Sequence, residues 1–147
     1  MTNKLENLRL EDFLCHIEES LNRIFTYTKH LSERDFLSNS MAQDAVVRNL
    51  EIVGEAARHV LDQYKHLVAQ EDQAALRNAY RMRNVLVHGY FGVEQETVWD
   101  TIQKDLPLLA EQVRRMTDVY DKTMAERREA SGTEEGQIAP SSADNKT

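Results

Sequence analysis

Apolar residues recur every three or four positions along most of this chain, and this spacing constrains the fold more than any other feature. The first such stretch runs from Leu10 to Leu31 and describes one apolar stripe on a helix of about six turns. Only five glycines and two prolines occur among 147 residues, so the composition favours long helices over a turn-rich β fold. The sequence therefore predicts an all-α protein.

Three more stretches carry the same spacing. They run from about Met41 to Tyr64, from about Asp72 to Val87 and from about Glu94 to Met124. Ser32 to Asp35 has the composition of a helix cap or short turn between the first two helices. Because long helices joined by short connections pack side by side in opposite directions, we expect an antiparallel four-helix bundle.

The last helix and the residues after it depart from this regularity. Pro107 lies inside the apolar pattern and predicts a kink or a break near Asp105. After about Arg127 the pattern stops and the residues become small and polar. We expect a bundle over residues 1–126 and a disordered polar tail over residues 127–147.

The charge and the N-terminus exclude several classes of protein. A net charge of −7 disfavours non-specific coating of nucleic acid or anionic membrane, although a local basic patch remains compatible with it. Residues 1–12 are charged and have no apolar core, so they do not form a signal peptide, and no apolar run approaches the roughly 20 residues of a membrane span. Cys15 is the only cysteine and is expected to be a small buried residue. A cytoplasmic protein without a membrane partner is predicted.

The second helix carries a glycine and two carboxylates at notable positions. Gly54 lies in mid-helix, where glycine costs up to about 1 kcal/mol relative to alanine, and this indicates close approach of another helix. Glu51 and Glu55 are one turn apart on the same face, and Arg48 precedes Glu51 by three residues, close enough to pair with it. Glu51, Glu55 and Arg48 are therefore candidate supporting residues of a site. Each carboxylate is a candidate partner for Arg48 or for Arg83.

The most polar group within an apolar run lies at residues 81–93. Arg83, Asn84, His88 and Tyr90 surround Val85, Leu86 and Val87, and buried polar groups of this kind are costly unless they are satisfied or used. On a regular helix Arg83 and His88 lie roughly 140° apart, at about 100° per residue. Either the helix ends before His88 and the following glycines turn the chain, or a second copy completes the site.

This group suits cleavage of RNA without a metal or other cofactor. A histidine shuttles protons near neutral pH, and a guanidinium binds phosphate oxygens and stabilises charge in the transition state. Arg77 and Arg81 add positive charge to the same helix and are candidate RNA-binding residues. The alternative is structural, with Arg83 and Asn84 solvating a helix end.

The remaining histidines give no metal-binding pattern. Glu55 and His59 are four residues apart, whereas di-metal helical bundles use Glu-x-x-His from each of two helices, and no second copy of the pair occurs. His16, His30, His59 and His66 are therefore predicted to be surface residues, and no metal site is expected.

Several blocks of the sequence resemble the HEPN superfamily in its HepT-like branch. The motif Arg83-Asn84-x-x-x-His88-x-Tyr90 is similar to that family's signature, and the segment from Arg48 to Ala57 is similar to its second-helix motif. The residues from Leu86 to Val93, then Val98-Trp99 and Asp105 to Pro107, continue the likeness. The Pro-Trp pair that many members carry before the motif is absent here.

The resemblance implies a function and two partners. It implies a homodimeric HEPN-like bundle that acts as the endoribonuclease toxin of a type II/VII-like toxin–antitoxin module, with Arg83, Asn84 and His88 as catalytic residues. It also implies a cognate MNT-type nucleotidyltransferase antitoxin, which in some systems adds AMP to the motif tyrosine, here Tyr90. The alternatives are a non-catalytic HEPN module that holds a nucleotidyltransferase or binds nucleotide, and a purely structural bundle.

Overall fold

The computed structural model describes the backbone of residues 2–88 and 92–135 and the side chains of residues 10–86 and 92–132. Over these residues the chain is helical and contains no strand, so the predicted all-α bundle is confirmed. The α-helices are α1 (Thr2–Thr28), α2 (Glu33–Leu37), α3 (Ser40–Tyr64), α4 (Gln70–His88), α5 (Gln95–Asp100) and α6 (Leu106–Glu135). A short 3₁₀ turn (Lys65–Leu67) leads into α4.

The helix predicted to begin near Leu10 begins earlier, and the predicted cap at Ser32 to Asp35 is present. The Ser32 hydroxyl oxygen accepts a hydrogen bond from the Asp35 backbone N–H, and the Asp35 carboxylate accepts one from the Ser32 N–H, each at 3.1 Å. This reciprocal pair satisfies two N–H groups at the start of α2. The polar stretch is therefore a capping box that starts a short helix of its own.

The helix α3 lies at the centre of the packing, because both α1 and α4 pack against it. Gly54 makes the second contact close: a Cβ built on it would overlap the Cβ of Arg83 and lie 2.8 Å from the Arg83 Cγ and 3.0 Å from the Ala79 carbonyl oxygen. The prediction that Gly54 admits a neighbouring helix is confirmed. The predicted apolar stripes supply the core, whose fully buried members include Leu14, Ile17, Leu21, Ile24, Val46, Leu50, Val53, Val60 and Leu76.

Pro107 does not break the last helical segment. Residues Thr101–Asp105 form a π-helical turn between α5 and α6, in which the Leu106 N–H donates to the Thr101 carbonyl. Because proline cannot donate a backbone hydrogen bond, a wider turn beside it lets the helix continue with a local irregularity. The Arg115 guanidinium of α6 then binds the buried Asp72 carboxylate at 2.6 Å, which ties α6 to the start of α4.

The last helix extends further than predicted. The helix α6 continues to Glu135, so residues 127–135, expected to be disordered, are helical. The reason is local, since the segment after Met124 contains alanine, glutamate and arginine, which all favour helix. Among the described residues, the bundle unit ends at Thr117, and the part of α6 from Asp118 onward belongs to a separate unit. The expected disorder of residues 136–147 lies outside the described residues.

Two further properties follow from the described residues. None of their helices is both long and apolar enough to cross a lipid bilayer. Cys15 is exposed rather than buried, because its position on α1 falls outside the buried stripe. Its thiol lies 3.6 Å from the Glu19 carboxylate. Partial burial, followed by the charge of Glu19, raises the pKa of this thiol.

Candidate functional site

A cleft of about 340 Å³ opens between α1, α3 and α4, and Arg83 lies in its wall. We call it the Arg83 cleft. It is lined by aromatic, basic and acidic side chains together, namely Phe13, His16, Arg48, Glu51, Ile52, Glu55, Ala56, His59 and Arg83. The three candidate supporting residues of α3 therefore lie in one cleft with the candidate catalytic arginine.

Arg83 is held in this cleft by partners on two helices. Its side chain is 28% exposed, one terminal nitrogen lies 3.5 Å from the Glu55 carboxylate, and the other donates to the Asn84 side-chain oxygen at 3.2 Å. Its Nε is buried and has no hydrogen-bond partner among the described residues. Since Gly54 leaves room for its stem, the guanidinium is positioned by α3 and keeps donor capacity for an anion.

Glu55 connects α3 to α4 at this point. Arg58 donates to its carboxylate at 2.5 Å, and this hydrogen bond lowers the pKa of Glu55 below its ordinary value. Partial burial opposes the shift, and the charge of Arg83 adds to it. Glu55 is therefore ionised at neutral pH and supplies the negative charge that orients Arg83.

His59 is not the plain surface residue that the sequence predicts. Its ring stacks on that of Phe13, with centroids 4.8 Å apart and planes at 3°, and its Nε2 lies 3.5 Å from Glu55. His16 lies edge-on to Phe13, with ring centroids 6.5 Å apart. The four-residue step from Glu55 to His59 was the available signal, because it places both on one helix face. That Phe13 of α1 covers this face required the tertiary structure.

Glu51 is held less firmly than Glu55. It forms the predicted pair with Arg48, but at 3.6 Å, and the Arg48 side chain is largely exposed. An exposed pair at this distance contributes little and leaves the carboxylate oxygens able to accept other hydrogen bonds. Among the described side chains, no group of three or more His, Cys, Asp or Glu residues comes together as a metal site.

The opposite face of α4 is exposed. Arg77 and Arg81 lie on it one turn apart, and Val85 follows with 69% of its surface exposed. The helix continues to His88, which excludes the first of the two alternatives, an end before His88. By helical spacing, position 88 follows the stripe of Arg81 and Val85. The side chain of His88 and all of Tyr90 lie outside the described residues.

An apolar groove of about 240 Å³ borders this stripe. It is formed by the end of α4 and the start of α5, and its lining includes Met82, Val85, Leu86, Val93 and Val98. Arg83 faces α3, whereas Val85 lies on the exposed stripe beside this groove. The structure therefore brings Arg83, Asn84, Glu51, Glu55 and Arg48 together and places Arg77 and Arg81 elsewhere on α4.

Comparison with known proteins gives a consistent set of relatives. Residues 17–116 match the family model described as Ribonuclease HepT-like. The "Probable ribonuclease HepT" of Thermococcus cleftensis is 36% identical over 99 residues, which cover 67% of this chain and 87% of the relative. The Methanocaldococcus jannaschii protein MJ0434, named for a gamma-glutamylcyclotransferase and an RNase, is 35% identical over 114 residues. The match covers 75% of this chain but only 48% of MJ0434, about half its length.

One solved structure shares the fold. It is a tri-AMPylated HEPN toxin from Shewanella oneidensis in complex with an MNT antitoxin, with a TM-score of 0.58 and 21% sequence identity. The superposition covers 78% of this chain and 97% of the toxin. At this identity the likeness establishes a HEPN fold.

Proposed function

This chain belongs to the Ribonuclease HepT-like family, and we propose that it is an endoribonuclease that acts as the toxin of a toxin–antitoxin module. The observation that carries the proposal is Arg83: its guanidinium is oriented by Glu55 and Asn84, and its side chain is 28% exposed in the cleft. Guanidinium donors held in a fixed plane match two oxygens of one phosphate. This site lies in the same helix as His88, which supplies the titratable group.

The proposed reaction needs only these side chains. His88 accepts the proton of the RNA 2′-hydroxyl, whose oxygen attacks the adjacent phosphorus. The bond from phosphorus to the 5′-oxygen breaks, the 5′-oxygen receives the proton from His88, and a 2′,3′-cyclic phosphate forms. Arg83 stabilises the charge that develops on the phosphoryl oxygens, and Asn84 orients Arg83. Arg77 and Arg81 attract the flanking RNA backbone. Because side chains supply both the proton transfer and the positive charge, the proposed mechanism uses no metal ion.

The geometry of α4 supports a homodimer as the proposed active form. Because α4 is helical through His88, positions 83 and 88 lie about 140° apart around its axis, too far for one phosphate to meet both groups of a single helix directly. The exposed Val85 and the adjacent apolar groove provide a surface that a second copy covers. Light scattering should show a dimer for the wild type and a monomer for Val85→Glu. An active monomeric wild type at micromolar concentration would refute the arrangement.

The proposed partner is an MNT-type nucleotidyltransferase that acts as antitoxin. The Shewanella oneidensis toxin of the same fold is described as tri-AMPylated and in complex with an MNT antitoxin. In this chain Tyr90 is the proposed acceptor of AMP, since it lies two residues after His88. Added phosphate there would occupy the place of an RNA phosphate and repel it.

The test is RNA cleavage in the presence of EDTA. We expect the wild type to cleave, and His88→Ala and Arg83→Ala each to lose about a hundredfold in rate. Arg114→Ala, which removes an exposed arginine outside the cleft, serves as the control and should retain activity. Circular dichroism must first show that each variant is folded. Equal cleavage by all variants, or cleavage abolished by EDTA, would contradict the mechanism. A folded wild type that binds its antitoxin but cuts no RNA would identify the non-catalytic module instead.

A further inference from the structure

We infer that the Arg83 cleft binds the nucleobase beside the cleaved phosphodiester bond and that Glu51 makes it select guanine. The inference rests on the proposed ribonuclease function and adds a substrate preference to it. Its basis is that one cleft combines stacked aromatic rings, a carboxylate with free acceptor capacity and the phosphate-binding arginine.

The aromatic wall supplies a surface for a base. Phe13 and His59 stack with nearly parallel planes, and His16 packs against Phe13 edge-on. His59 is 32% exposed, so this pair is accessible from the cleft. Every nucleobase has a π-face that stacks on such rings, and proteins that bind single-stranded RNA use aromatic side chains in this way. A volume of about 340 Å³ lies within the usual range of small-ligand sites.

The two carboxylates of the cleft differ in what they can still bind. Glu55 is engaged by Arg58 at 2.5 Å and by Arg83 and His59 at 3.5 Å. Glu51 has a single ion-pair contact among the described residues, with Arg48 at 3.6 Å. Both oxygens of Glu51 are therefore available as acceptors.

Guanine is the base that offers a carboxylate two donors side by side. Its N1–H and its 2-amino group lie adjacent on the Watson–Crick edge, so one carboxylate accepts both. Adenine and cytosine present a single amino group beside a ring nitrogen that is itself an acceptor, which a carboxylate repels. Uracil presents one N–H between two carbonyl oxygens. Glu51 therefore favours guanine over the other three bases.

Arg83 belongs to both the proposed base site and the proposed phosphate site. It lines the cleft and is also the proposed phosphate-binding residue, so the base and phosphate of neighbouring nucleotides fall within reach of one another. The two arginines of the cleft, Arg48 and Arg83, balance Glu51 and Glu55. The negative net charge of the chain therefore does not make this cleft repel RNA.

The first experiment measures base preference in cleavage. Short RNAs that place guanine, inosine, adenine, cytosine or uracil at one variable position beside a fixed cut site are compared. Inosine keeps N1–H and lacks the 2-amino group, so it isolates one of the two hydrogen bonds. We expect wild type to cut the guanine RNA about tenfold faster than the inosine RNA, the discrimination typical of a bidentate contact. Glu51→Gln should reduce this ratio to about twofold or less, while the exposed control Glu111→Gln should keep it.

The second experiment isolates stacking. His59→Ala should raise KM about tenfold, as loss of one stacking partner does, whereas His59→Phe should restore it because the ring remains. His66→Ala, at an exposed position outside the cleft, is the control. If His59→Phe is as impaired as His59→Ala, His59 acts through its proton or charge and the stacking assignment is wrong.

Binding to uncleavable 2′-O-methyl RNAs separates this inference from the proposed function. Tighter binding of the guanine RNA than of the inosine RNA, lost in Glu51→Gln, supports the base site even if the protein cuts no RNA. Cleavage without any base preference, or a preference that survives Glu51→Gln, overturns the base site and leaves the ribonuclease intact. Binding without preference overturns it as well.

Discussion

Replacing Gly54 by alanine tests the contact that positions Arg83. The added methyl group would overlap the Cβ of Arg83 and come within 3.0 Å of the Ala79 carbonyl oxygen. Neither atom can swing aside, because a Cβ and a carbonyl are fixed by the backbone of α4. The helix α4 must therefore move away from α3 and carry Arg83 away from Glu55.

Two opposing effects determine how much Gly54→Ala changes the free energy of unfolding. Alanine in place of glycine within a helix stabilises by about 1 kcal/mol. Overpacking a tight contact costs about 1–3 kcal/mol, and a clash with fixed atoms belongs at the upper end, near 3 kcal/mol. The net expectation is a loss of about 2 kcal/mol in the free energy of unfolding. Displacement of Arg83 by about 1 Å should also lower RNA cleavage about a hundredfold.

Urea denaturation and RNA cleavage measure the two effects. The matched control is Gly132→Ala, because a Cβ at Gly132 meets nothing within 4 Å, and it should be neutral or stabilising by up to about 1 kcal/mol. A Gly54→Ala protein as stable as the wild type would refute the close contact. A destabilised protein with unchanged activity in its folded fraction would refute the link between this contact and Arg83.

Three further expectations concern charge and control. Glu55→Gln should lower RNA cleavage about tenfold, because one charge-assisted contact to Arg83 is lost. The control is Asp62→Asn, which removes the other partner of Arg58 and should leave RNA cleavage unchanged. Tyr90→Phe should keep cleavage but escape neutralisation by the antitoxin with ATP, and mass spectrometry should find AMP only on the wild-type peptide. If both toxins are neutralised equally and no AMP is found, inhibition is by complex formation. Asp35→Asn should lose stability relative to wild type at neutral pH, since hydrogen bonds from the Ser32 backbone and hydroxyl lower the pKa of Asp35. This difference should be fully present above the ordinary value of 3.8 and disappear as pH falls through the lowered pKa of the folded state; urea titrations at several pH values measure it.

The local sequence predicted most of the helices because their signals are local. Apolar spacing located α3 and α4 to within about two residues, and the capping box at Ser32 was visible as a polar cluster. The end of α6 was missed because the prediction relied on apolar spacing, and helix-forming polar residues continue the helix without it. Pro107 predicts a kink or a break near Asp105, and the irregularity found there is the π turn at Thr101–Asp105.

The composition of the site was predictable only in part. The sequence was enough to select Arg83, Asn84, Glu51 and Glu55. Their side-chain chemistry and their spacing within one helix can both be seen in the sequence. That Glu51 and Glu55 share a face with Arg48 also follows from the helical repeat alone.

The tertiary structure decided which faces meet. The stacking of Phe13 on His59 and the contact of Glu55 with Arg83 each join residues of different helices. Such contacts depend on the rotation and register of each helix against its neighbour, which the close approach at Gly54 determines here. Helical periodicity fixes angles within one helix, but the relation between two helices comes from how the whole core packs.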